Sequence, residues 1–489
     1  MILIILINVL ILTGLALLAI QNLVSLFVCS GIAAGCGLLL LYVIVRGTYG
    51  LRFTWLLASS LLIGYGGGSF STIFNVGFSD LYDAFSVFGI PKPWGAYAMV
   101  LVVFSCTSLL VAGFFESPVL MDNQVVKVGW KQERFLWFGM AVIFVAYVHG
   151  DYTFMGTAAE QGTGTVSVLG EVAGALAPLL LPLAVMGALQ AWGLRRRRFV
   201  FLTLVSFVAL LPAGRRVMVY TLIACALAAF RLSGWKPRLT ATKKVLLGFA
   251  FVILITLAGL FFMALRLAAG KSSEVGQGGS TYSIRQMVPV LIEDILTDPG
   301  NVIRETRGNL EERPFLLEEY LSLLGRGGNT TEPMYGQDFM LGIKLAIPDA
   351  AYKWVGESKN LVRSVGTEEN LANERYGLPD TDDANSILTS GIIDFGLLGV
   401  FLYPLAVCGI FRVIYFVIDH SFNKEGQLVA LLIGVYLFLQ AESEVASYVL
   451  SLRNMVIVMV LWRTLYEVPT LFRLSAAARG GSADTSFST

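Results

Sequence analysis

Charged residues make up only 14% of this 489-residue chain, while 56% are hydrophobic and the mean hydropathy is +0.72. A soluble globular domain carries about 25% charged residues, so the deficit excludes water as the solvent for most of the length. Histidine is almost missing: His149 and His420 are the only two. His149, beside Asp151, sits at a span boundary, where a lone histidine is more often structural than catalytic. His420 falls on the inner side, away from any outside chemistry. Five cysteines (Cys29, Cys36, Cys106, Cys225, Cys408) lie inside apolar segments without a CxxC pair. They supply no disulfide framework and read as small fillers of helix interfaces. No P-loop, GxGxxG, HExxH or GxSxG stretch is present, which removes support for nucleotide binding and hydrolase triads. The first apolar stretch lacks a basic n-region and a small-residue cleavage site, so it is expected to stay as the first span. The net charge of +1 gives no reason to expect a nucleic-acid partner.

What is abundant is apolar sequence in blocks of crossing length. A helix needs about 20 mostly apolar residues to cross the hydrocarbon. The candidates are Ile2–Ile20, Leu23–Val45, Phe53–Ile73, Gly95–Phe115, Phe135–Val148, Val166–Leu189, Phe199–Leu211, Val217–Phe230, Val245–Leu265, Gly391–Ile418, Leu428–Ala446 and Met455–Leu471. The expected fold is therefore all-α, a polytopic transmembrane bundle of about 12 spans. Pro178 and Pro182 fall inside the sixth span, where other helices or water must satisfy the freed backbone groups.

Between the ninth and tenth spans, residues 270–390 are polar and hold no crossing segment. Residues 1–269 are thus read as spans 1–9, residues 270–390 as a large external loop, and residues 391–489 as spans 10–12 with a tail. Within the loop, Ser283–Leu296 and Leu310–Leu324 have helical spacing of apolar residues, and Lys271–Ser280 is a Gly/Ser-rich link. No internal repeat is evident. With both termini inside, the inner loops collect Arg46, Arg52, Lys127, Lys131, Arg134, the run Arg195–Arg198, Arg231, Lys236, Arg238, Lys243, Lys244 and Lys424. The positive-inside bias selects this orientation.

Charges that violate that bias carry information. Arg215 and Arg216 follow Leu-Pro-Ala-Gly in a hairpin that the topology puts at the outer face, and Arg266 closes the ninth span at the same face. A turn at Gly214 leaves Arg215 and Arg216 at a helix start, and helix N-termini and guanidinium forks both bind phosphate. The set predicts a bound phosphate or pyrophosphate; the plainer reading is snorkelling to headgroups or pairing with loop carboxylates. Before the tenth span stands Pro379-Asp-Thr-Asp-Asp-Ala-Asn-Ser386. Asp382, Asp383, Asn385 and Ser386 there can cap a helix, grip sugar hydroxyls or supply a general base. Glu442 and Glu444, near the outer end of the eleventh span, either neutralise the arginines or activate an acceptor hydroxyl.

Together these features resemble the Wzy-type O-antigen and oligosaccharide repeat-unit polymerases. Gly214-Arg215-Arg216 is similar to the family's GSR signature at a helix start, with Arg in place of Ser. Tyr335-Gly-Gln-Asp-Phe, Ala346-Ile-Pro348, Trp354 and Glu357-Ser-Lys359 are similar to its YG…IPR…W…KP stretch. Here Asp349 stands where the family has Arg, and Asn360 where it has Pro. Asn385-Ser followed by Ile393-Asp-Phe-Gly-Leu-Leu-Gly399 is similar to its NFG..G entry into the next span.

The resemblance implies a GT-C-like, metal-independent glycosyltransferase without cofactor, working at the periplasmic face of the bacterial inner membrane. Its donor and acceptor are undecaprenyl-pyrophosphate-linked oligosaccharides embedded in membrane lipid, and a chain-length regulator protein is an expected partner. Arg215, Arg216 and Arg266 are then the pyrophosphate-binding set. Asp382, Asp383 and Glu442 are the nominated bases, and Tyr335, Tyr352, Trp354, Asn385 and Ser386 the nominated sugar contacts, although packing is the commoner use of the aromatics. Two rivals stand beside this expectation. An O-antigen ligase, transferring glycan to lipid A–core, shares the architecture but uses a loop histidine that this chain lacks. A lipid-linked oligosaccharide flippase would place its charges near the bilayer midplane.

Overall fold

A computed structural model describes residues 2–20, 26–46, 51–76, 93–117, 127–149, 152–153, 156–157, 168–210, 215–234, 333–347 and 385–467, together with residues 253, 292, 293, 297, 300, 304, 316, 320, 323, 324 and 352. The helices are α1 (Ile2–Ile20), α2 (Leu26–Arg46), α3 (Phe53–Val76), α4 (Pro93–Phe115), α5 (Trp130–His149), α6 (Val168–Gln190), α7 (Gly193–Leu210) and α8 (Arg215–Leu227), the last running into a π turn at Ala228–Leu232. They continue with α9 (Gln337–Ala346), α10 (Ile387–Phe395), α11 (Gly399–Ser421), α12 (Lys424–Leu439) and α13 (Val445–Trp462). A two-residue antiparallel ladder, β1 (Tyr152–Thr153) with β2 (Gly156–Thr157), is the only strand pairing among the described residues. The fold is an all-α bundle.

Among the described residues, five helical stretches are long and apolar enough to cross a membrane: Val28–Val45, Ala98–Phe115, Val168–Gln190, Ile387–Ser421 and Val445–Tyr466. Phe53–Gly67 and Val217–Leu232 are shorter apolar helices. Large apolar side chains stand on the outside of the bundle. Leu10, Phe144, Leu204, Val208 and Val413 are each more than 60% exposed, an arrangement that water penalises and lipid does not. This is a membrane protein. The described part of each expected span falls on helix, apart from the Gln440–Glu444 loop and the Gly396–Leu398 turn; of Val245–Leu265 only residue 253 is described, and most of Ser283–Leu296 and Leu310–Leu324 also lies outside the described residues.

The centre of the bundle is α6, which stays helical through Pro178 and Pro182 with most of its length buried. Small residues set the close approaches around it. A Cβ at Gly187 would strike the Phe199 ring, one at Gly139 would meet Leu180, and one at Gly434 would meet Phe53. Phe53 in turn stacks on Phe438 with centroids 4.8 Å apart.

One end of the bundle is tied together by polar groups. The Glu116 carboxylate, after α4, accepts the Phe53 and Thr54 backbone N–H groups at 3.0 and 3.1 Å, and Arg52 Nε donates to its carbonyl at 3.0 Å. Burial pushes the Arg52 guanidinium pKa down, and Glu116 works against that shift. Lys131 pairs with Glu425 at 3.4 Å, and Glu133 pairs with Arg195 at 3.0 Å and Arg198 at 3.6 Å. Gln190 accepts from Val128 N at 2.7 Å and donates to Ser233 O at 3.1 Å, while Arg231 donates to Ile44 O. Thus the C-terminal ends of α2, α4 and α6, the π turn after α8 and the N-terminal ends of α3, α5, α7 and α12 share one end. That end gathers Arg52, Lys131, Arg195, Arg198 and Arg231.

Three expected boundaries move. The eleventh span, expected at Leu428–Ala446, is α12 and stops at Leu439; the twelfth, expected at Met455–Leu471, is α13 and starts at Val445. The polar run Gln440–Glu444 is a loop between them, and Arg453, which precedes the expected start of the twelfth span, lies inside α13, where it pairs with Glu171 of α6 at 3.2 Å. The tenth span, expected as one helix from Gly391 to Ile418, is two helices broken by a 3-10 turn at Gly396–Leu398. Gly396 takes a left-handed φ of 61°, which ends α10 at a position where a side chain would strain the turn.

Candidate functional site

Opposite the charged end, α10 forms the inner wall of a polar region. Every residue from Asn385 to Asp394 is buried. Ser386 caps the helix: its side chain accepts from Leu388 N at 3.0 Å, and Thr389 Oγ1 accepts from Ser386 N at 2.7 Å. That reciprocal box satisfies two orphan donors. The Tyr65 hydroxyl of α3 lies 2.5 Å from Ser386 Oγ, and its ring meets Tyr320 edge-on at 5.3 Å. Beside Tyr65, a Cβ on Gly64 would meet Ala441 and Leu316, so the Gln440–Glu444 loop packs directly on α3. From the other side, Ser390 Oγ of α10 accepts from Val445 N at 3.0 Å. Asn385, Ser386 and the Glu442 loop are therefore one neighbourhood, where two of the five nominated sugar contacts and one nominated base meet.

The far end of α10 holds the loop segment. Met334 N and Tyr335 N donate to the carbonyls of Ile393 and Asp394 at 2.9 Å. The Asp394 carboxylate accepts the backbone N–H groups of Asp338 at 3.1 Å and Phe339 at 3.2 Å, and the Tyr403 hydroxyl also donates to it. A carboxylate at the N-terminus of α9 satisfies free N–H groups and opposes the helix dipole. Gly342 of α9 packs on Ala446 of α13 so closely that a Cβ would meet its Cα at 2.8 Å. A Cβ on Gly391 or Gly399 would overlap the other's backbone. The Asp-Phe-Gly-Leu-Leu-Gly stretch thus positions α9: Asp394 anchors it, Gly396 turns the chain, and Gly399 lets α11 lie against α10.

The other nominated residues divide. Tyr335 is 74% exposed and has a left-handed φ of 51°, a conformation unusual for a residue with a side chain; its ring is open to a ligand. Tyr352 is buried and donates its hydroxyl to Lys344 O at 3.1 Å, which is a packing role at the end of α9. Arg215 and Arg216 occupy the first two positions of α8, where the sequence expects a helix start; their side chains lie outside the described residues. Because α7 begins beside Glu133 and ends where Tyr147 OH donates to Ala209 O at 3.3 Å, the start of α8 lies opposite the Arg195 end. Arg266, Asp382, Asp383 and Trp354 lie outside the described residues.

One pair escaped the sequence reading. Arg453 Nη1 of α13 donates to Glu171 Oε1 of α6 at 3.2 Å, and its Nε and Nη2 donate to Asn454 Oδ1 at 3.3 and 3.1 Å. The two side chains are only 19% and 9% exposed. Ionisable groups within a span mark function more often than chance. The available signal was the isolated Glu171 and Arg453 in otherwise apolar stretches.

No family model, curated protein or solved structure matches this chain.

Proposed function

We propose that this chain is a membrane glycosyltransferase that polymerises undecaprenyl-pyrophosphate-linked oligosaccharide repeat units. It has about 12 spans and both termini in the cytoplasm. Residues 270–390 and the active site face the periplasm across the bacterial inner membrane. The observation that carries the reading is the two-ended polarity of the bundle. Arg52, Lys131, Arg195, Arg198 and Arg231 meet at one end, while the Arg215–Arg216 helix start lies at the other. The positive-inside rule assigns the first of these to the cytoplasm.

In the proposed reaction an acceptor sugar hydroxyl oxygen attacks the anomeric carbon of the donor. The bond from that carbon to the diphosphate oxygen breaks, and undecaprenyl pyrophosphate leaves with the electron pair. Arg215, Arg216 and Arg266 receive the growing negative charge, a preorganised stabilisation worth about 3 kcal/mol per donor. The acceptor proton passes to a carboxylate, for which Glu442, Asp382 and Asp383 are the nominees. Tyr335 offers an exposed ring for a sugar face. A chain-length regulator is the expected protein partner.

The test is glycan laddering in cells carrying Arg215→Ala or Arg216→Ala. Both variants should enter the membrane at normal abundance and make no polymer; a full ladder in both sinks the reading. The intramembrane Arg453–Glu171 pair favours a second reading, a lipid-linked oligosaccharide flippase. A deletion strain separates the classes. Loss of a polymerase leaves lipid A–core bearing one repeat unit, loss of a ligase leaves it bare, and loss of a flippase traps the lipid-linked unit on the inner leaflet.

A further inference from the structure

Both amide atoms of Asn385 and the Tyr320 hydroxyl have no hydrogen-bond partner among the described residues. Asn385 is 6% exposed and Tyr320 is 0% exposed. Buried polar groups are satisfied in the great majority of cases, and the exceptions ask for an explanation. These groups are linked in space. Tyr320 rests on the Tyr65 ring, Tyr65 bridges to Ser386, and Asn385 is the residue before Ser386. They collect at the N-terminus of α10, a nine-residue helix buried from Ile387 to Asp394. A half-helix that ends inside a membrane bundle is tolerated where it lines a cavity or is covered by protein, and substrate sites form at such ends.

The chemistry of the orphaned atoms selects the ligand. An amide oxygen needs a donor and an amide nitrogen needs an acceptor; because both atoms are unpaired, the conclusion does not depend on which is which. A phosphate oxygen accepts only and leaves the amide oxygen unserved. A sugar hydroxyl donates and accepts at once. The Glu442 loop packs on the same stretch of α3 through Ala441 and Gly64, so the carboxylate nominated to take the acceptor proton lies in the same neighbourhood.

We propose that Asn385 and Tyr320 bind a hydroxyl group of the acceptor glycan at the start of α10, held in place by the Tyr65–Ser386 contact. The assignment rests on the polymerase reading and names its acceptor subsite. Asn385 and Tyr320 are binding residues here; the proton leaves to a carboxylate.

The full-length chain in lipid nanodiscs, given the lipid-linked repeat unit extracted from its own host's membranes, tests the assignment. Tyr320→Phe and Asn385→Ala are compared with wild type for KM, kcat and Tm. Each variant should raise the apparent KM by about fivefold to tenfold, the effect of one or two hydrogen bonds, with kcat held. Tyr320→Phe should keep or raise Tm, because removing an unpaired buried hydroxyl relieves its desolvation. An unchanged KM in both variants overturns the subsite, whether Tm rises (packing orphans) or falls (a structural water on the two groups). A KM that rises only alongside a fall in Tm overturns it as well. If the wild-type chain makes no polymer in this assay, the polymerase reading itself fails, a result distinct from wild-type extension with unaffected variants.

Discussion

Arg453 of α13 and Glu171 of α6 form an ion pair 3.2 Å apart between two helices of crossing length. Desolvating both groups is costly, and removing one partner leaves the other uncompensated. Glu171→Ala should therefore destabilise the protein by about 3 kcal/mol, whereas Glu171→Leu combined with Arg453→Met should recover most of the loss. Thermal unfolding in detergent reads both. If the single variant unfolds like wild type, the pair has no structural weight.

Asp394 controls the docking of α9. Asp394→Asn keeps the shape but presents an N–H group or a neutral oxygen to the two backbone donors of Asp338 and Phe339. The loss should be about 2 kcal/mol, typical of hydrogen bonds to a charged group, and should be local. Limited proteolysis should then cut near residues 333–347 in the variant before it cuts elsewhere. Equal protection of that stretch in both proteins contradicts the anchoring role.

Tyr335 combines an exposed ring with a left-handed backbone, φ 51°. Tyr335→Gly fits that conformation and should stay within about 1 kcal/mol of wild-type stability. Tyr335→Val, β-branched at positive φ, should be clearly less stable. If the ring serves a sugar face, Tyr335→Gly shortens the glycan ladder despite its intact fold. A normal ladder in that variant removes Tyr335 from the binding surface.

The proposed orientation has a direct readout. All five cysteines are buried, so the wild-type protein serves as a quiet background for thiol labelling. In spheroplasts, Gly214→Cys should react with a membrane-impermeant maleimide, and Arg197→Cys should react only after lysis. The reverse pattern inverts the topology and ends the phosphate-receiving role assigned to Arg215 and Arg216.

The bundle was legible to different depths. Long apolar runs such as Pro93–Phe115 and Val168–Gln190 announced their helices because one property, hydropathy over about 20 residues, dictates crossing. Breaks within such runs were not legible. Whether Ile387–Ser421 is one helix or two depends on a left-handed turn at Gly396 and on the contact of Gly391 with Gly399, and nearby glycines such as Gly409 carry no such constraint. The α12–α13 boundary was misplaced for a related reason: Arg453 looks like a loop residue until its partner, 282 positions away, is known.

By itself the sequence determined that the chain is helical and lives in a membrane, because charge content and apolar run length are local quantities. It also nominated Asn385, Ser386 and Glu442, residues of the right chemistry beside spans. Only the tertiary structure decided that these three share a neighbourhood with Tyr65 and Tyr320, that Asp394 holds a loop helix, and that Arg453 is satisfied inside a span. Each of those facts is a contact between distant segments, and the free energy of such a contact is set by packing and desolvation rather than by any residue's neighbours in the chain.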